Sequence, residues 1–367
     1  MKIHVWSPSF QAFGGGIAAF SRELSLALCD TGHTLRLHGK SDTPATWNSI
    51  ELRGTGSIPP TFRTAAFITS ILGSCMRHRP DRIIAAHLHF APVALAAKRL
   101  TGVPFSIIAH GIEVHDKLSP LQCAGLASAH EVLAVSSWTR DRVLALDVID
   151  PDRVVIMPNT FDDARFSPGI RQARLAQLYA LNGGERVLLT VARLDAGEAY
   201  KGYDRIIRAL PAINAACGPV RFILVGGGDD EPRVKRLALD IGVADRVTFA
   251  GFVSDEDLAE HYRLADVFAM PSTGEGFGIV YLEAMACGTP VLAGNADGSV
   301  DALDGGRLGL LVAPLQVDDI AAGIISLLGA QGPAWWFDRN ALHQAVTERF
   351  GRGAFRERLA KTSSARL

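Results

Sequence analysis

One stretch constrains this chain more than any other, residues 271–290, with an apolar run on either side. Val267-Phe268-Ala269-Met270 is an apolar run of strand length that ends at Pro271. A loop follows that carries Glu275 and three glycines, Gly274, Gly276 and Gly278. Ile279–Cys287 then reads as a helix, Gly288 stands in the position of a C-cap, and Pro290–Ala293 is a second apolar strand. Strand, glycine loop, helix and strand in so short a span make a parallel pair. Its loop lies at the first strand's carboxyl end, where open α/β sheets take their ligands. A glycine turn opening a helix offers free backbone N–H groups and a positive dipole end, which suits a phosphate. Glu275 and Glu283 bracket that helix start with seven residues between them. An anion alone needs no acids beside it, whereas the hydroxyls of a sugar nucleotide are good carboxylate partners.

The same alternation runs through the rest of the chain. Ile3–Trp6 reads as a strand, Gly14-Gly15-Gly16 as a loop, Ile17–Cys29 as a helix and Thr34–His38 as a second strand. Gly14-x-Gly16-x-x-Ala19 formally matches the dinucleotide fingerprint, with Asp42 as its ribose acid, but Ser7–Phe13 separates the glycines from the strand. Three readings stay open there: a nicotinamide dehydrogenase, a packing turn, and a loop that approaches a bound phosphate or acceptor. Strands at Arg82–Ala86, Phe105–Ala109, Glu131–Val135 and Val154–Met157 continue the pattern. Polar residues at such strand ends face the ligand edge, which singles out His110 and the Ser136-Ser137-Trp138 turn. His87 and His89 are left without a role, and Asp150-x-Asp152 reads as turn chemistry around Pro151.

A polar, irregular stretch after Phe161 marks a boundary, and a fresh alternation starts at Arg186–Val191. With 367 residues the chain is long for one core. The expected domains are therefore 1–165, joined by a crossover tail from about 345 to 367, and 166–344. Arg193 and Lys201 share the loop after the strand Arg186–Val191, where a diphosphate could sit between them.

Balanced charge, 37 basic against 38 acidic residues, argues against a nucleic-acid partner. The five scattered cysteines form no Cys-x-x-Cys pair and suit reduced thiols rather than zinc or disulfides. No run approaches the length of a spanning helix, and the start of the chain has no signal-peptide character. The expected location is cytoplasmic, either free or peripheral on the inner membrane face. Residues 51–82 are rich in arginine around an apolar run from Ala65 to Met76. That region is either a basic amphipathic helix for an anionic membrane surface or a sheet-covering helix with a solvated basic face.

Taken in order, Gly15-Gly16, His110-Gly111, Pro158-Asn159, Arg193 with Lys201-Gly202, Leu224-Val225-Gly226-x-Gly228, Gly251-Phe252-Val253 and Glu275-Gly276-Phe277-Gly278…Glu283-Ala284 resemble glycosyltransferase family 4. This family comprises the retaining nucleotide-sugar transferases of GT-B architecture. The resemblance implies two Rossmann-like α/β domains facing across a cleft, with a C-terminal helix that crosses back to the first. It implies that Arg193 and Lys201 hold the donor diphosphate, helped by the amides of Gly278, Ile279 and Val280 beside Phe277. Glu283 would bind the ribose, Val253 the base, Glu275 the transferred sugar, and His110 the sugar near its reacting carbon. Gly15 and Gly16 would let their loop approach the phosphates or acceptor, with Ser136 and Asn159 on the acceptor side.

No metal or other cofactor is implied beyond the nucleotide sugar as co-substrate. The implied reaction moves a hexose to a glycan or lipid-linked acceptor of the cell envelope or an exopolysaccharide. GDP-mannose is the first donor expected, ahead of UDP-glucose or a UDP-N-acetylhexosamine. Two alternatives share the fold or the ligand: a sugar-nucleotide epimerase and a non-catalytic nucleotide-sugar-binding protein.

Overall fold

A computed structural model of the chain describes residues 1–11, 15–114 and 117–362, the side chain of Asp255 apart. Gly14, part of the fingerprint match, lies outside the described residues. Contacts divide the chain into two compact units, Met1–Phe161 with Arg352–Leu367, and Asp162–Gly351. Sequence placed these divisions at 165/166 and about 345.

The first unit runs β1 (Lys2–Ser7), α1 (Gly15–Asp30), β2 (Thr34–Gly39), β3 (Ala45–Trp47), β4 (Ile50–Gly54), α2 (Pro60–His78), β5 (Arg82–Ala85) and α3 (Ala91–Thr101). It continues with β6 (Phe105–Ala109), α4 (Pro120–Ser128), β7 (Glu131–Ala134), α5 (Ser137–Leu144) and β8 (Val154–Ile156). Its eight strands lie in the order β3-β4-β2-β1-β5-β6-β7-β8, parallel except for the edge strand β3. The central strands β5, β6 and β7 are buried along their whole length, as strands covered on both faces must be.

The second unit runs α6 (Ala173–Leu178), β9 (Arg186–Val191), α7 (Tyr203–Cys217), β10 (Val220–Val225), α8 (Glu231–Ile241), β11 (Val247–Gly251), α9 (Asp255–Leu264) and β12 (Val267–Met270). There follow α10 (Ile279–Ala286), β13 (Val291–Gly294), α11 (Ser299–Ala302), β14 (Leu310–Val312), α12 (Val317–Leu328) and α13 (Arg339–Phe350). The six strands, ordered β11-β10-β9-β12-β13-β14, are all parallel. Helix α7 buries Tyr203, Ile206, Ile207, Leu210 and Ile213, the i, i+3, i+4, i+7 stripe that its sequence shows.

In each unit the strand order reverses once near the middle, between β1 and β5 and between β9 and β12. A crevice at the strands' carboxyl ends opens at such a reversal, and ligands of open α/β sheets bind there. The loops after β9 and β12 are those that carry Arg193, Lys201 and Glu275.

Leu342, Val346, Phe350, Phe355 and Leu359 read in sequence as one helical stripe over Trp335–Leu367, and the tail departs from that. It breaks at Gly351 into α13 and a last helix, α14 (Arg352–Leu359). Helix α13 packs on α10 within the second unit, and α14 packs on α1 within the first. Phe355 meets Phe20 edge to face at 5.8 Å, and Arg352 forks onto Glu23 at 2.6 and 2.7 Å.

Candidate active site

In the second unit the β12–α10 loop is held from two sides. Ser272 Oγ accepts the N–H groups of Gly274 and Glu275 at 3.2 and 3.1 Å. Asp297, 2% exposed, accepts the same Glu275 N–H at 2.7 Å through Oδ2. Its Oδ1 accepts the N–H and hydroxyl of Ser299 at 2.9 and 2.5 Å. Gly298 N–H closes the clamp on the Glu275 carbonyl at 2.9 Å. The Glu275 side chain is thus set on a fixed backbone, half-buried. Burial pushes its carboxyl above the usual carboxylate range. Lys201 opposes that rise, while Asp297 and Glu198 add to it.

Gly278, with φ +88°, opens α10 in the left-handed region, and a Cβ there would lie 2.3 Å from the Tyr281 ring. No other residue fits. The first N–H groups of any helix lack partners within it, so those of Ile279 and Val280 face the start of α10 with its positive dipole end. One turn on, Glu283 Oε2 accepts the Tyr262 hydroxyl at 2.7 Å, which fixes the carboxylate's direction. Burial and this carboxylate together push the Tyr262 phenol up, so it stays a donor.

The β9–α7 loop lies against this one. Thr273 N–H donates to the Tyr200 carbonyl at 3.1 Å, and a Cβ on Gly202 would sit 2.4 Å from the Pro271 carbonyl oxygen. On the loop's other side, Leu194 N–H bonds the Gly227 carbonyl at 3.1 Å. A short 3₁₀ turn, Ala196–Lys201, brings Glu198 back between the two cations. Glu198 pairs with Arg193 through Oε1 and with Lys201 Nζ at 2.6 Å through Oε2. Sequence left this carboxylate without a role, and geometry makes it the group that joins Arg193 to Lys201. Val253 follows β11, whose last residue, Gly251, accepts the Gly226 N–H at 2.8 Å.

In the first unit His110 directly follows β6. Its Nε2 lies 3.0 Å from the Ala86 carbonyl oxygen, which can only accept, so Nε2 carries the proton and Nδ1 of the neutral ring is an acceptor. Burial lowers the His110 pKa against the pull of Glu113. Glu113, 6% exposed, accepts the His110 N–H at 3.0 Å, and its other oxygen is buried without a partner. Phe20 of α1 stands edge-on to the imidazole at 5.4 Å, and the unassigned His87 lies 6.2 Å away. Gly15 and Gly16 are the first two residues of α1.

Asp42 is not a ribose acid. Its fully buried carboxylate accepts Phe10 N–H at 2.8 Å, Gln11 N–H at 3.2 Å and the Ser9 hydroxyl at 2.8 Å, so it anchors the β1–α1 loop. Ser136 caps α5, accepting Thr139 N–H at 3.0 Å, and is fully buried. Asn159 is 6% exposed, with its carbonyl oxygen buried and unpartnered. Asp150 accepts the Asp152 N–H at 3.0 Å, the turn expected there. All five cysteines are free, and among the described residues no group of three or more His, Cys, Asp or Glu could hold a metal ion.

A family pattern described as "Glycosyl transferase 4-like domain" matches residues 15–160, and one described as "Glycosyl transferases group 1" matches residues 172–344. Over 354 residues the chain is 32% identical to a GDP-mannose-dependent alpha-(1-6)-phosphatidylinositol monomannoside mannosyltransferase of Mycobacterium tuberculosis (strain CDC 1551 / Oshkosh), with 88% of this chain and 90% of that one covered. The chain belongs to glycosyltransferase family 4. This glycosyltransferase is also 32% identical over 302 residues to a D-inositol 3-phosphate glycosyltransferase of Mycobacteroides abscessus, with 77% of this chain and 66% of that one covered. Its fold is similar to that of sucrose-phosphate synthase from Thermosynechococcus elongatus, at a TM-score of 0.81 and 22% identity, with 98% of each chain covered. The two parallel-sheet units are those of the GT-B class, as the resemblance implied.

Sequence reading of the glycosyltransferase gave no role to Ser272, Asp297, Glu113 or Glu198, which hold these loops together. The first two carried a usable signal. A serine at a strand end and an aspartate in a glycine-rich turn are the residue types that bind loop amides. Glu113 and Glu198 carried none, because a lone glutamate three or five residues from a site residue is ordinary on any surface.

Proposed function

We propose that this glycosyltransferase moves a hexose from a nucleoside diphosphate sugar to a glycan or lipid-linked acceptor in cell-envelope or exopolysaccharide synthesis, with retention at the anomeric carbon and without a metal. The observation that carries the reading is the meeting of two loops at the β9/β12 reversal. They place two cations, an open helix start and the half-buried Glu275 on one sheet edge. Arg193 and Lys201 take the diphosphate with the Gly278–Val280 amides, and Glu283, aimed by Tyr262, takes the ribose. Val253 meets the base, and Glu275 holds hydroxyls of the transferred sugar. His110 offers Nδ1 to a sugar hydroxyl, its Nε2–H being spent on Ala86.

In this reading the leaving phosphate, steadied by the two cations, takes the acceptor's proton on the face it departs from. A preorganised pair of cations stabilises that charge far better in a shielded site than water does. GDP-mannose is the first donor proposed, in keeping with the named activity of the mycobacterial relative. The exposed face of α2, with Phe62, Ile68 and Met76 beside Arg77 and Arg79 and no acidic residue in the helix, is proposed to rest on an anionic membrane surface. No helix of the described residues is long and apolar enough to cross a membrane.

Thermal unfolding with GDP, UDP and their sugars tests the donor. One nucleoside diphosphate at 100 times its dissociation constant should add about 2.7 kcal/mol of stability. Its sugar should then be consumed only when an acceptor is present. Donor turnover without acceptor would instead make the protein an epimerase, and stabilisation by NAD alone would sink the proposal.

A further inference from the structure

Glu198, the acidic side chain that pairs with both Arg193 and Lys201, occupies the place where a diphosphate's charge would be neutralised. Glu198 reaches both cations at once, Arg193 through one oxygen and Lys201 through the other at 2.6 Å. Its side chain is 14% exposed, as is that of Lys201, whereas that of Arg193 is 72% exposed. The turn that presents Glu198 is itself built. Asp195 accepts the Gly197 N–H at 2.9 Å, and the Ala196 N–H is held by Asp229 at 2.8 Å. Glu198 departs from helical geometry at φ −113°, ψ 16°, within an otherwise 3₁₀ segment, so its position is not that of a regular helix face.

Charge balance shows why this arrangement cannot survive donor binding unchanged. The two loops and the neighbouring turn set Arg193 and Lys201 against Glu198, Glu275 and Asp297. Arg205 also faces Asp297, but its guanidinium is committed to the carbonyls of Pro314 and Tyr200 at 2.8 and 2.9 Å. A diphosphate entering beside three carboxylates would meet repulsion that the two cations, already neutralised by Glu198, do not offset. Like charges at a few ångströms cost heavily once partly shielded from water.

We propose that Glu198 is an internal placeholder for the donor diphosphate, holding Arg193 and Lys201 together in the donor-free enzyme and giving way to the phosphates on binding. The inference rests on the reading of Arg193 and Lys201 as the diphosphate cations. It makes Glu198 a brake on donor affinity that also keeps two like charges from repelling each other while the site is empty. It also sets a lower limit on the ligand's charge. A nucleoside lacking phosphate cannot release Glu198 and gains nothing from its removal.

Glu198→Gln keeps the shape and removes the charge, and Glu198→Ala removes both. By isothermal titration, both variants should bind GDP or UDP, whichever the wild type binds, about threefold to tenfold more tightly, the scale of two partly exposed ion pairs. Their affinity for guanosine or uridine should be unchanged, and without ligand both should melt below wild type. A merely structural carboxylate would lower melting temperature and affinity together, so unchanged or weaker diphosphate binding overturns the proposal. Arg193→Ala and Lys201→Ala serve as the separate check. If neither weakens diphosphate binding, the reading of the site fails and takes the placeholder with it. If both weaken it and Glu198→Gln does not tighten it, the placeholder alone is wrong.

Discussion

The two units bury polar groups of different kinds. Among the described residues the first buries four histidines, His4, His38, His87 and His110, and the second buries one, His261. Both nitrogens of His261 are bonded, Nε2 to the Tyr179 hydroxyl at 2.7 Å and Nδ1 to the Asp257 carbonyl at 2.8 Å. Neither nitrogen of His38 has a partner. In the second unit the buried charges are paired instead. Asp230 takes a fork from Arg233 at 2.6 Å and the Tyr203 hydroxyl at 2.7 Å, and Glu185 faces Arg221 and Arg246 at 3.3 Å. The first unit therefore leans more on rings that must stay neutral, beside buried carboxylates such as Asp42 and Glu23, and the second on charges that stay paired. The same contrast runs through the proposed roles, with His110 of the first unit a neutral acceptor and Glu275 and Lys201 of the second proposed to act through charge.

The largest expected effect tests that contrast at the site. Glu275→Ala and His110→Ala should each lower initial transfer rates at least ~100-fold, the scale of a lost transition-state contact. Near-normal turnover in both would refute the assignment.

A smaller effect should appear in stability against pH. Burial holds His38 down to about 2, His4 to about 4 and His87 to about 4. Arg36, Arg53 and His78 press on the first two, with Glu51 opposing for His4, while Glu113 opposes for His87 and His110, His89 and Lys40 add to its shift. A histidine whose folded pKa is depressed stabilises the fold fully above its unfolded pKa. That contribution is lost as pH falls from there toward the folded value. Each such ring should remove about 1.4 kcal/mol per pH unit below about pH 6.5. Asp230, held below the usual carboxylate range chiefly by the Arg233 hydrogen bonds, gives way only at lower pH. Glu275 acts in the opposite sense, since its raised pKa favours the fold as protons are added. Thermal unfolding followed from pH 7.5 to 4.5 should show the first unit lost first, with a shallower fall in His38→Leu. A flat profile between pH 6.5 and 5 would contradict this account.

The smallest effect concerns the outer surface of the first unit. Sedimentation with phosphatidylglycerol vesicles should retain the protein at low salt, and Arg77→Glu should weaken retention at least about fivefold. Equal binding to uncharged phosphatidylcholine vesicles would leave α2 as a plain sheet-covering helix.

Much of this architecture was legible because parallel sheets write their strands as apolar runs and their turns as glycines. The strands β5 to β9, β12 and β13 fall within a residue or two of their apolar runs. The hairpin of β3 and β4 was not legible. Its two-residue turn is Asn48-Ser49, both at positive φ, without the glycine that usually announces such a turn. The tail's division at Gly351 was hidden because α13 and α14 carry one continuous apolar spacing and only their partners differ. Arg193, Lys201, Glu275 and Glu283 stood out through loop position and spacing. Asp42 stayed open as a ribose acid because a carboxylate after a second strand looks the same whether it faces a ribose or its own loop. What sequence could not supply were contacts between residues far apart in the chain, such as Asp297 on Glu275, and the fold-back that sets Glu198 between two cations.

The return of α14 to α1 has a consequence for the order in which the protein is made. Glu23, Phe20 and Asp30 are synthesised early, yet their partners Arg352, Phe355 and Arg356 belong to the last residues of the chain. The whole second unit, Asp162–Gly351, is translated in between. At typical rates that interval lasts roughly 10–40 s. Throughout it the nascent first unit lacks the α14 residues that pack on α1. The first unit therefore completes its packing only after the second has been translated.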